Sequence, residues 1–236
     1  MKIKTFKTRV FCENEEIFPF IFKYVKKIRE KSILVITSKI IALSEGRVVN
    51  YKSEKQKNKL IKKESDFSLK TKYVWLTLKD NILMANAGID ESNAKGKLIL
   101  LPKNSFMFAK KIHSVLCIHY KVKNLGIIIS DSGLIPFRNG VIGMASGYAG
   151  FIGVKNYKGE KDIFGRKFIF SKTNIADSLA TAATVCMGEG KEQQPLALIT
   201  NAPVVFIKKT NIKEIKINPE EDMFYPILKN INAKKK

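Results

Sequence analysis

The stretch Asn86-Ala-Gly-Ile-Asp-Glu-Ser-Asn93 places a carboxylate and an amide on a glycine-containing turn, directly after the apolar run Ile82-Leu-Met-Ala85. The apolar run predicts a short buried strand, and Gly88 permits backbone geometry that a residue with a Cβ resists. We therefore expect polar groups to emerge where a strand ends, which is a common place for ligands in open α/β sheets.

The same arrangement recurs at two other predicted strand ends. Leu125-Gly-Ile-Ile-Ile129 is followed by Ser130-Asp-Ser-Gly133, and Ile33-Leu-Val-Ile36 is followed by Thr37-Ser-Lys39. Together the three strand ends supply two carboxylates, several hydroxyls and an ammonium group. Oxygen ligands suit Mg²⁺ or Mn²⁺, and a lysine with nearby glycines suits a phosphate chain. The sequence thus predicts a site for a metal ion and a phosphate chain.

Apolar spacing predicts a helix over residues 14–31, with Pro19 in its first turn, and a solvated helix and loop within the lysine-rich residues 51–72. Residues 44–47 have the composition of a turn. Further strands are expected at residues 73–78, 82–85 and 97–101, the first two joined by the hairpin turn Lys79-Asp-Asn81.

Capping residues predict two helices in the second half of the chain. Ser105 can cap one, and Asn174 with Asp177 forms a capping box for an alanine-rich helix that ends at Gly188. The glycine-rich residues 140–153 lack a clean strand-to-helix transition, so we interpret them as close backbone packing rather than as a dinucleotide fingerprint.

Helices and strands alternate irregularly, and hairpins lie among them. This pattern favours an α/β protein of the mixed α+β kind, with mixed and largely antiparallel sheets and packed helices, over a regular doubly wound fold. Asp162-Ile-Phe-Gly-Arg166 is predicted to be a turn. No linker marks a boundary, so we expect residues 1–236 to form one domain, or two intertwined subdomains without a readable boundary.

Length and cysteine usage limit the class of protein. The 236 residues suffice for a substantial core, and no apolar run of about 18 residues predicts a membrane span. The N-terminus lacks a secretory signal pattern. Cys12, Cys117 and Cys186 are scattered, which predicts buried reduced thiols in a cytoplasmic protein rather than disulfides or a zinc site.

The formal net charge is +22, which is compatible with a nucleic acid or an acidic membrane surface as partner. Abundant Lys, Ile and Asn also fit a compositional bias without any binding role. The lysines cluster only between Lys52 and Lys72 and at Lys234-Lys-Lys236, and neither cluster interleaves aromatic residues. The pattern therefore argues against a nucleic-acid partner, although a basic surface would steer a polyanionic substrate.

Seven short motifs follow one another along the chain: Ser44-Glu-Gly-Arg47, Asn86-Ala-Gly-Ile-Asp-Glu-Ser-Asn93, Leu100-Leu-Pro102, Ile129-Ser-Asp131, Asp162-Ile-Phe-Gly-Arg166, Ala176-Asp-Ser-Leu-Ala180 and Met187-Gly-Glu-Gly190. In this order and spacing they resemble one family, the coenzyme F-420:L-glutamate ligases, or CofE-like γ-glutamyl ligases. The resemblance extends over nearly the whole chain, and residues 51–72 and the C-terminal tail match by position only.

The resemblance implies a CofE-like fold and an enzyme that depends on a nucleotide, usually GTP, and on a divalent metal. Such a ligase phosphorylates a carboxylate acceptor to an acyl phosphate, which the amino group of L-glutamate then attacks. The implied acceptor is coenzyme F-420-0 or a folate-like γ-glutamate, and a homodimer is implied as well. The alternative is a non-catalytic protein that uses the same scaffold to bind RNA or another polyanion.

The resemblance also implies roles for individual residues. Asp90 and Asp131 correspond to ligands of one Mg²⁺ or Mn²⁺ ion, and Ser132 and Glu189 to ligands of a second. Two such ions can clamp a transferring phosphoryl group and neutralise its charge. The implied nucleotide contacts are Asn93, the phosphate-side residues Ser38 and Lys39, and the turn with Met187, Gly188 and Gly190. The resemblance implies no particular catalytic acid or base.

The chain departs from the family pattern beside this site. Leu134 and Ile135 occupy the places of a common Gly-Arg pair, and Arg138 lies close by in the sequence. The departures leave the predicted metal ligands intact and put the acceptor in doubt. We interpret Asp162, Arg166 and Asp177 as packing and capping residues.

Overall fold

The computed structural model describes residues 1–226 of the chain, so the lysine cluster at residues 234–236 lies outside the described residues. The strands in chain order are β1 (Lys2–Phe6), β2 (Ser32–Thr37), β3 (Val48–Asn50), β4 (Phe67–Lys70), β5 (Trp75–Lys79), β6 (Ile82–Ala85), β7 (Lys97–Ile99), β8 (Leu125–Leu134), β9 (Val141–Ala149), β10 (Val154–Asn156), β11 (Lys172–Asn174) and β12 (Leu196–Thr200). The α-helices are α1 (Ile17–Tyr24), α2 (Ser38–Ser44), α3 (Glu54–Glu64), α4 (Ser105–Tyr120) and α5 (Ile175–Met187).

A five-stranded sheet with the order β1-β12-β2-β8-β9 forms the centre of the protein. Only β2 and β8 are parallel neighbours in this sheet, and its other strand pairs are antiparallel. The smaller sheets pair β3 with β7, β4 with β5 and β6, and β10 with β11, all antiparallel. The predicted α+β class with largely antiparallel sheets is confirmed.

Both faces of the central sheet are buried, and β2 shows why its sequence is continuously apolar. Successive strand residues point to opposite faces. Leu34 and Ile36 pack in the cluster formed with α1, α2 and α4, whereas Ile33 and Val35 pack in the cluster formed with α5. The sheet is therefore held from two sides, and its strand ends are positioned rigidly.

The segment between α2 and α4 forms a separate layer around a small core in which Ile61 of α3 packs with Ile89, Leu98 and Leu100. A further cluster connects this layer to α2 through Ala42, Ala94 and Ile99. The loop that contains Asp90 is thus attached to the central sheet through α2.

Several local predictions are confirmed. Pro19 lies in the first turn of α1, Gly46 adopts a positive φ in the turn at residues 44–47, and Asp80 and Asn81 form the hairpin turn. The Asn174 side chain accepts a hydrogen bond from the Asp177 amide, and Gly188 ends α5. Asp162 caps its turn by accepting hydrogen bonds from two backbone amides.

Other local predictions are wrong. The helix predicted over residues 14–31 is shorter, and Asn104 rather than Ser105 caps α4. A helix that was not predicted, α2, lies between β2 and the turn at residues 44–47. The loop expected at the end of residues 51–72 is β4, and β6 is half-buried rather than buried. Cys12 and Cys186 are exposed, so the expectation of buried thiols fails for them.

The glycine-rich residues 140–153 contain a strand that was not predicted, β9. The close backbone packing predicted there is confirmed, because Gly143 lies against α5 and Gly147 lies against the start of α4. Small residues obscured the strand because they lack the β-branched and aromatic side chains that identify strands in a sequence.

Among residues 1–226, no helix is long and apolar enough to cross a membrane.

Candidate functional site

Asp131 lies within β8 and not in a loop after it, because β8 continues to Leu134 and pairs with β9 from Ile127 to Leu134. The prediction that Asp131 follows a strand end is therefore wrong. The strand pairing does change register between Ile129 and Ser130. A bulge of this kind re-aims the following side chains without ending the strand.

The parallel pairing of β2 with β8 brings Ser38 to Asp131. Thr37 is opposite Ser130 in the sheet, and Ser38 follows as the first residue of α2. The buried Ser38 donates a hydrogen bond from Oγ to Asp131 Oδ1 at 2.8 Å. These two residues are 93 positions apart in the sequence.

Asp90 lies in the loop after β6, where a short 3-10 turn leads from the strand. Gly88 in this turn has φ +70°, and an added Cβ would lie 2.5 Å from the Leu101 side chain, so glycine is required there. Asp90 pairs through its backbone with Ile99. The prediction of a glycine-dependent turn that presents Asp90 is confirmed.

Lys39 and Ser92 hold the Asp90 carboxylate. Lys39 Nζ lies 2.6 Å from Asp90 Oδ2 and donates hydrogen bonds to the Ser92 carbonyl and hydroxyl. The Ser92 amide and hydroxyl donate to the same carboxylate at 2.7 and 2.9 Å. Burial opposes the ionisation of Asp90, but these hydrogen bonds outweigh burial and hold its pKa below the usual value.

The pKa of Asp131 is shifted in the opposite direction to that of Asp90. Burial of its carboxyl group raises its pKa to about 6, although hydrogen bonds from Ser38 and the Ser132 amide favour the charged form. The negative charges of Asp90 and Glu189 raise the pKa further. The carboxylates of Asp90 and Glu189, which come from two other segments, are therefore close enough to act on the Asp131 carboxylate.

Asp90, Asp131 and Glu189 together form what we call the carboxylate cluster. Ser132 and Glu189 form the side of this cluster away from Lys39. Ser132 Oγ lies 2.8 and 3.0 Å from the two carboxylate oxygens of Glu189. Glu189 is the second residue after the end of α5, and α5 packs on β9 beside β8. The packing of α5 on the sheet thus decides where Glu189 lies.

The predicted nucleotide-binding turn lies beside the Asp90 loop. Asn93 Nδ2 donates a hydrogen bond to the Gly190 carbonyl at 3.2 Å, which connects the two segments. Met187 is buried in the core, so only its backbone is available to a ligand. Apart from the Met187 side chain, the structure thus brings all the predicted metal-binding and nucleotide-binding residues into one region.

Two groups of residues lie outside the carboxylate cluster: those that depart from the family pattern and those of the turn at residues 162–166. Leu134 and Ile135 lie farther along the β8–β9 hairpin and are exposed, as is Arg138. Arg166 is exposed on the hairpin formed by β10 and β11, so the interpretation of Arg166 as a packing residue is wrong.

Two residues of the site were not predicted. Ser92 contacts both Lys39 and Asp90, and its position two residues after an aspartate is typical of an Asx-turn, which the sequence does contain. Glu192 accepts a hydrogen bond from the Gly190 amide at 2.8 Å. No local pattern marks Glu192, because its contact depends on how the chain turns after α5.

The cluster offers parts of cation sites rather than a complete cage. Within residues 1–226, no three His, Cys, Asp or Glu side chains form a group that could by itself hold a metal ion. Asp90 with Asp131, and Ser132 with Glu189, leave most coordination positions free. Mg²⁺ commonly takes one or two carboxylates together with phosphate oxygens and water, so these residues fit such an ion. A cation would also relieve the repulsion around Asp131.

Comparison with known proteins gives a consistent result. A model of the F420-0:Gamma-glutamyl ligase family matches residues 5–201. Coenzyme F420:L-glutamate ligase of Methanococcus maripaludis strain C7 is 34% identical over 230 residues, covering 90% of this chain and 91% of that protein.

Two further relatives have the same name, Coenzyme F420:L-glutamate ligase. The protein of Archaeoglobus fulgidus is 27% identical over 235 residues, with 92% of this chain and 93% of the relative covered. The protein of Methanocaldococcus jannaschii is 42% identical over 128 residues, with 54% and 51% covered. The chain is accordingly a ligase that forms amide bonds and belongs to the F420-0:gamma-glutamyl ligase family.

Proposed function

We propose that this ligase uses GTP and two divalent cations to join L-glutamate to a carboxylate acceptor through an acyl phosphate, in the cytoplasm. The acceptor is coenzyme F420-0, the substrate class in the family's name, or a folate-like γ-glutamate. The observation that carries the proposal is the convergence of Asp90, Asp131 and Glu189 beside Lys39. Carboxylates gathered in this way next to an ammonium group suit a bound metal–phosphate complex.

Asp90 and Asp131 would hold one Mg²⁺ or Mn²⁺ ion, and Ser132 and Glu189 would hold the other. When bound, such ions neutralise charge on the phosphoryl group that is transferred. Ser38 keeps Asp131 oriented through its 2.8 Å hydrogen bond. Lys39 would contact a phosphate oxygen by exchanging one of its two hydrogen bonds to Ser92 while keeping Asp90, because its ammonium group has three donors and its side chain is partly exposed.

Asn93 and the backbone of Gly188 and Gly190 would contact the nucleotide. Asn93 already joins the Asp90 loop to the turn after α5, so a nucleotide bound between them would be held from both sides. Enclosure by these segments would exclude water from an acyl phosphate, which water would otherwise hydrolyse. With water excluded, the amino group of glutamate would be the nucleophile that attacks the acyl phosphate and releases phosphate.

The proposal is tested by transfer of isotopically labelled glutamate. Purified protein is incubated with GTP or ATP, Mn²⁺ or Mg²⁺, labelled L-glutamate, and either coenzyme F420-0, a folate or a small-molecule extract. Mass spectrometry is expected to detect an acceptor heavier by one glutamyl unit only when nucleotide and metal are both present. Label transfer without nucleotide, or nucleotide-dependent products without added glutamate, would contradict the proposed reaction.

Lys39→Gln is expected to lower turnover roughly 100-fold, because a fixed positive charge at the phosphate chain is lost. The same change is expected to leave Mn²⁺ binding in the absence of nucleotide unchanged or several-fold tighter, because Lys39 no longer competes for Asp90. Mn²⁺ titration by calorimetry and steady-state kinetics measure the two effects. Lys103→Gln removes the same charge from an exposed position and serves as control. Equal losses of metal binding and turnover would indicate a folding defect instead.

A homodimer is part of the proposal and is supported by exposed apolar side chains on two hairpins. Phe137 lies at the tip of the β8–β9 hairpin, and Ile163, Phe164 and Phe170 lie on the β10–β11 hairpin, all more than 80% exposed. Monomeric proteins rarely expose contiguous apolar patches of large area, and such patches commonly mark interfaces.

Sedimentation is expected to give about twice the 26.7 kDa mass of one chain. Replacing Phe137 and Phe164 together by Glu should shift the protein to the monomer, because charges would be buried without partners. Ile118→Glu, at an exposed position of α4, should leave the assembly intact. A monomer in the unsubstituted protein would refute this part of the proposal.

A further inference from the structure

The outer face of α3 has four exposed lysines, Lys55, Lys59, Lys62 and Lys63, which we call the α3 lysine face. Their spacing places them along one side of the helix. We propose that the α3 lysine face binds the polycarboxylate part of an acidic acceptor or product. This inference rests on the proposed function, because adding glutamate to a substrate adds a carboxylate each time.

The lysines of this face are not neutralised by the acidic residues of α3. Glu64 pairs with Arg47 and Lys79, both at 2.7 Å, and Glu54 lies 3.7 Å from Lys57. Within residues 1–226, none of the four lysines is within salt-bridge distance of a carboxylate. The face therefore has uncompensated positive charge that is available to an anion.

The inner face of α3 is fixed beside the Asp90 loop. Lys57 Nζ lies 2.5 Å from Glu91 Oε1, the residue directly after Asp90. Ile61 is fully buried against Ile89 of the same loop. The position of the lysines relative to the carboxylate cluster is therefore set by packing and not by a flexible tether.

Trp75 strengthens this attachment. Its indole Nε1 donates to Asn58 Oδ1 of α3 at 2.7 Å, and its backbone amide donates to Asn86 Oδ1 at 2.9 Å. Asn86 begins the turn that leads to Asp90. α3 is thus held rigidly against the segment that carries Asp90, and the α3 lysine face is fixed with it.

The same observations favour a polycarboxylate over a nucleic acid. Lysines one helical turn apart are separated by about 5–6 Å, which a flexible chain of glutamates can match. Single-stranded nucleic acids are normally bound with stacked aromatic rings. Trp75 is half-buried and Lys62 lies over its ring at 4.9 Å, so this aromatic face is not open for stacking.

The test measures binding of a fluorescent, γ-linked tetraglutamate to the complete protein by anisotropy, without nucleotide or metal. Lys55, Lys59 and Lys63 are replaced together by Gln, and Lys26, Lys27 and Lys208 are replaced by Gln in a control with the same net charge. We expect the α3 variant to bind at least tenfold more weakly, the control to bind within about twofold of the original, and binding to weaken steeply with salt.

Equal weakening in both variants would overturn the proposal, because it would show a general effect of net charge. Unchanged binding in the α3 variant would also overturn it. The proposal would also be overturned if the unsubstituted protein bound an RNA homopolymer more tightly than tetraglutamate and the α3 variant lost that binding. The ligand of the α3 lysine face would then be a nucleic acid. The anisotropy measurement needs no turnover, so its result is independent of whether the proposed ligase reaction is correct. In a turnover assay, the α3 variant should show a higher KM for the acceptor and an unchanged kcat.

Discussion

Asp131→Asn is expected to reduce ligase turnover by about 10³-fold while making the metal-free protein more stable to heat. Turnover falls because the carboxylate proposed to hold a cation is lost, and a cation contributes several kcal/mol of charge stabilisation. Stability rises because a carboxyl group whose pKa is about 6 must ionise above that pH in a site where burial and two neighbouring carboxylates disfavour the charge.

The raised pKa of Asp131 makes the stability of the folded protein depend on pH. The pKa of Asp131 is raised from 3.8 in the unfolded chain to about 6 in the folded protein. Its stabilising contribution is therefore complete below pH 4 and is lost as the pH rises through 6, by at most about 3 kcal/mol. The melting temperature of Asp131→Asn should exceed that of the unsubstituted protein by roughly 3–8 °C at pH 8, and the two should agree more closely at pH 4.

Differential scanning calorimetry with a chelator measures the stability, and added Mn²⁺ should raise the melting temperature of the unsubstituted protein more than that of the variant, which keeps only the Ser132–Glu189 pair. Asp80→Asn is a matched control, because it removes one carboxylate from an exposed hairpin turn whose positive φ suits asparagine. A variant of Asp131 that keeps full turnover, or that is less stable at pH 8 than at pH 4 relative to the unsubstituted protein, would refute the role assigned to this carboxylate.

Gly147→Ala is expected to destabilise the protein by about 3 kcal/mol, or roughly 6–12 °C in melting temperature. An added Cβ would lie 2.5 to 2.7 Å from backbone atoms of Ser105 and Phe106, so the start of α4 would have to move away from β9. Tyr148 and Phe106 pack their rings beside this contact with centroids 5.5 Å apart, and a displaced helix would disturb them as well.

Gly133→Ala provides the comparison for Gly147→Ala. Its added Cβ would meet only the side chain of Met144, which is flexible and can rotate away, so the expected loss of stability is smaller. Thermal denaturation of both variants measures the difference. If the two substitutions cost the same, contact between the β9 backbone and α4 would not be what requires glycine at position 147. Folded Gly147→Ala protein should keep its kcat, because the hydrogen bonds and the ion pair that the structure shows for Asp90, Asp131, Ser132 and Glu189 involve no residue of α4.

Residue types and local turns could be predicted from the sequence because short-range patterns encode them. The turn after β6, the Asp80-Asn81 hairpin, and the capping of α5 by Asn174 all depend on a few adjacent residues with particular backbone preferences. The family resemblance depended on the order of such motifs along the chain. β9 was missed because its small residues give no hydrophobic alternation.

The sequence by itself determined which side chains were available for chemistry and that the turn at Gly88 would present Asp90. Only the tertiary structure decided which of them meet: Ser38 reaches Asp131 across 93 residues, and Ser132 reaches Glu189 across 57. The physical reason is that these contacts arise from the parallel pairing of β2 with β8 and from the packing of α5 on β9. Both are interactions between distant segments, and their geometry follows from burying the two apolar faces of one sheet rather than from any local pattern.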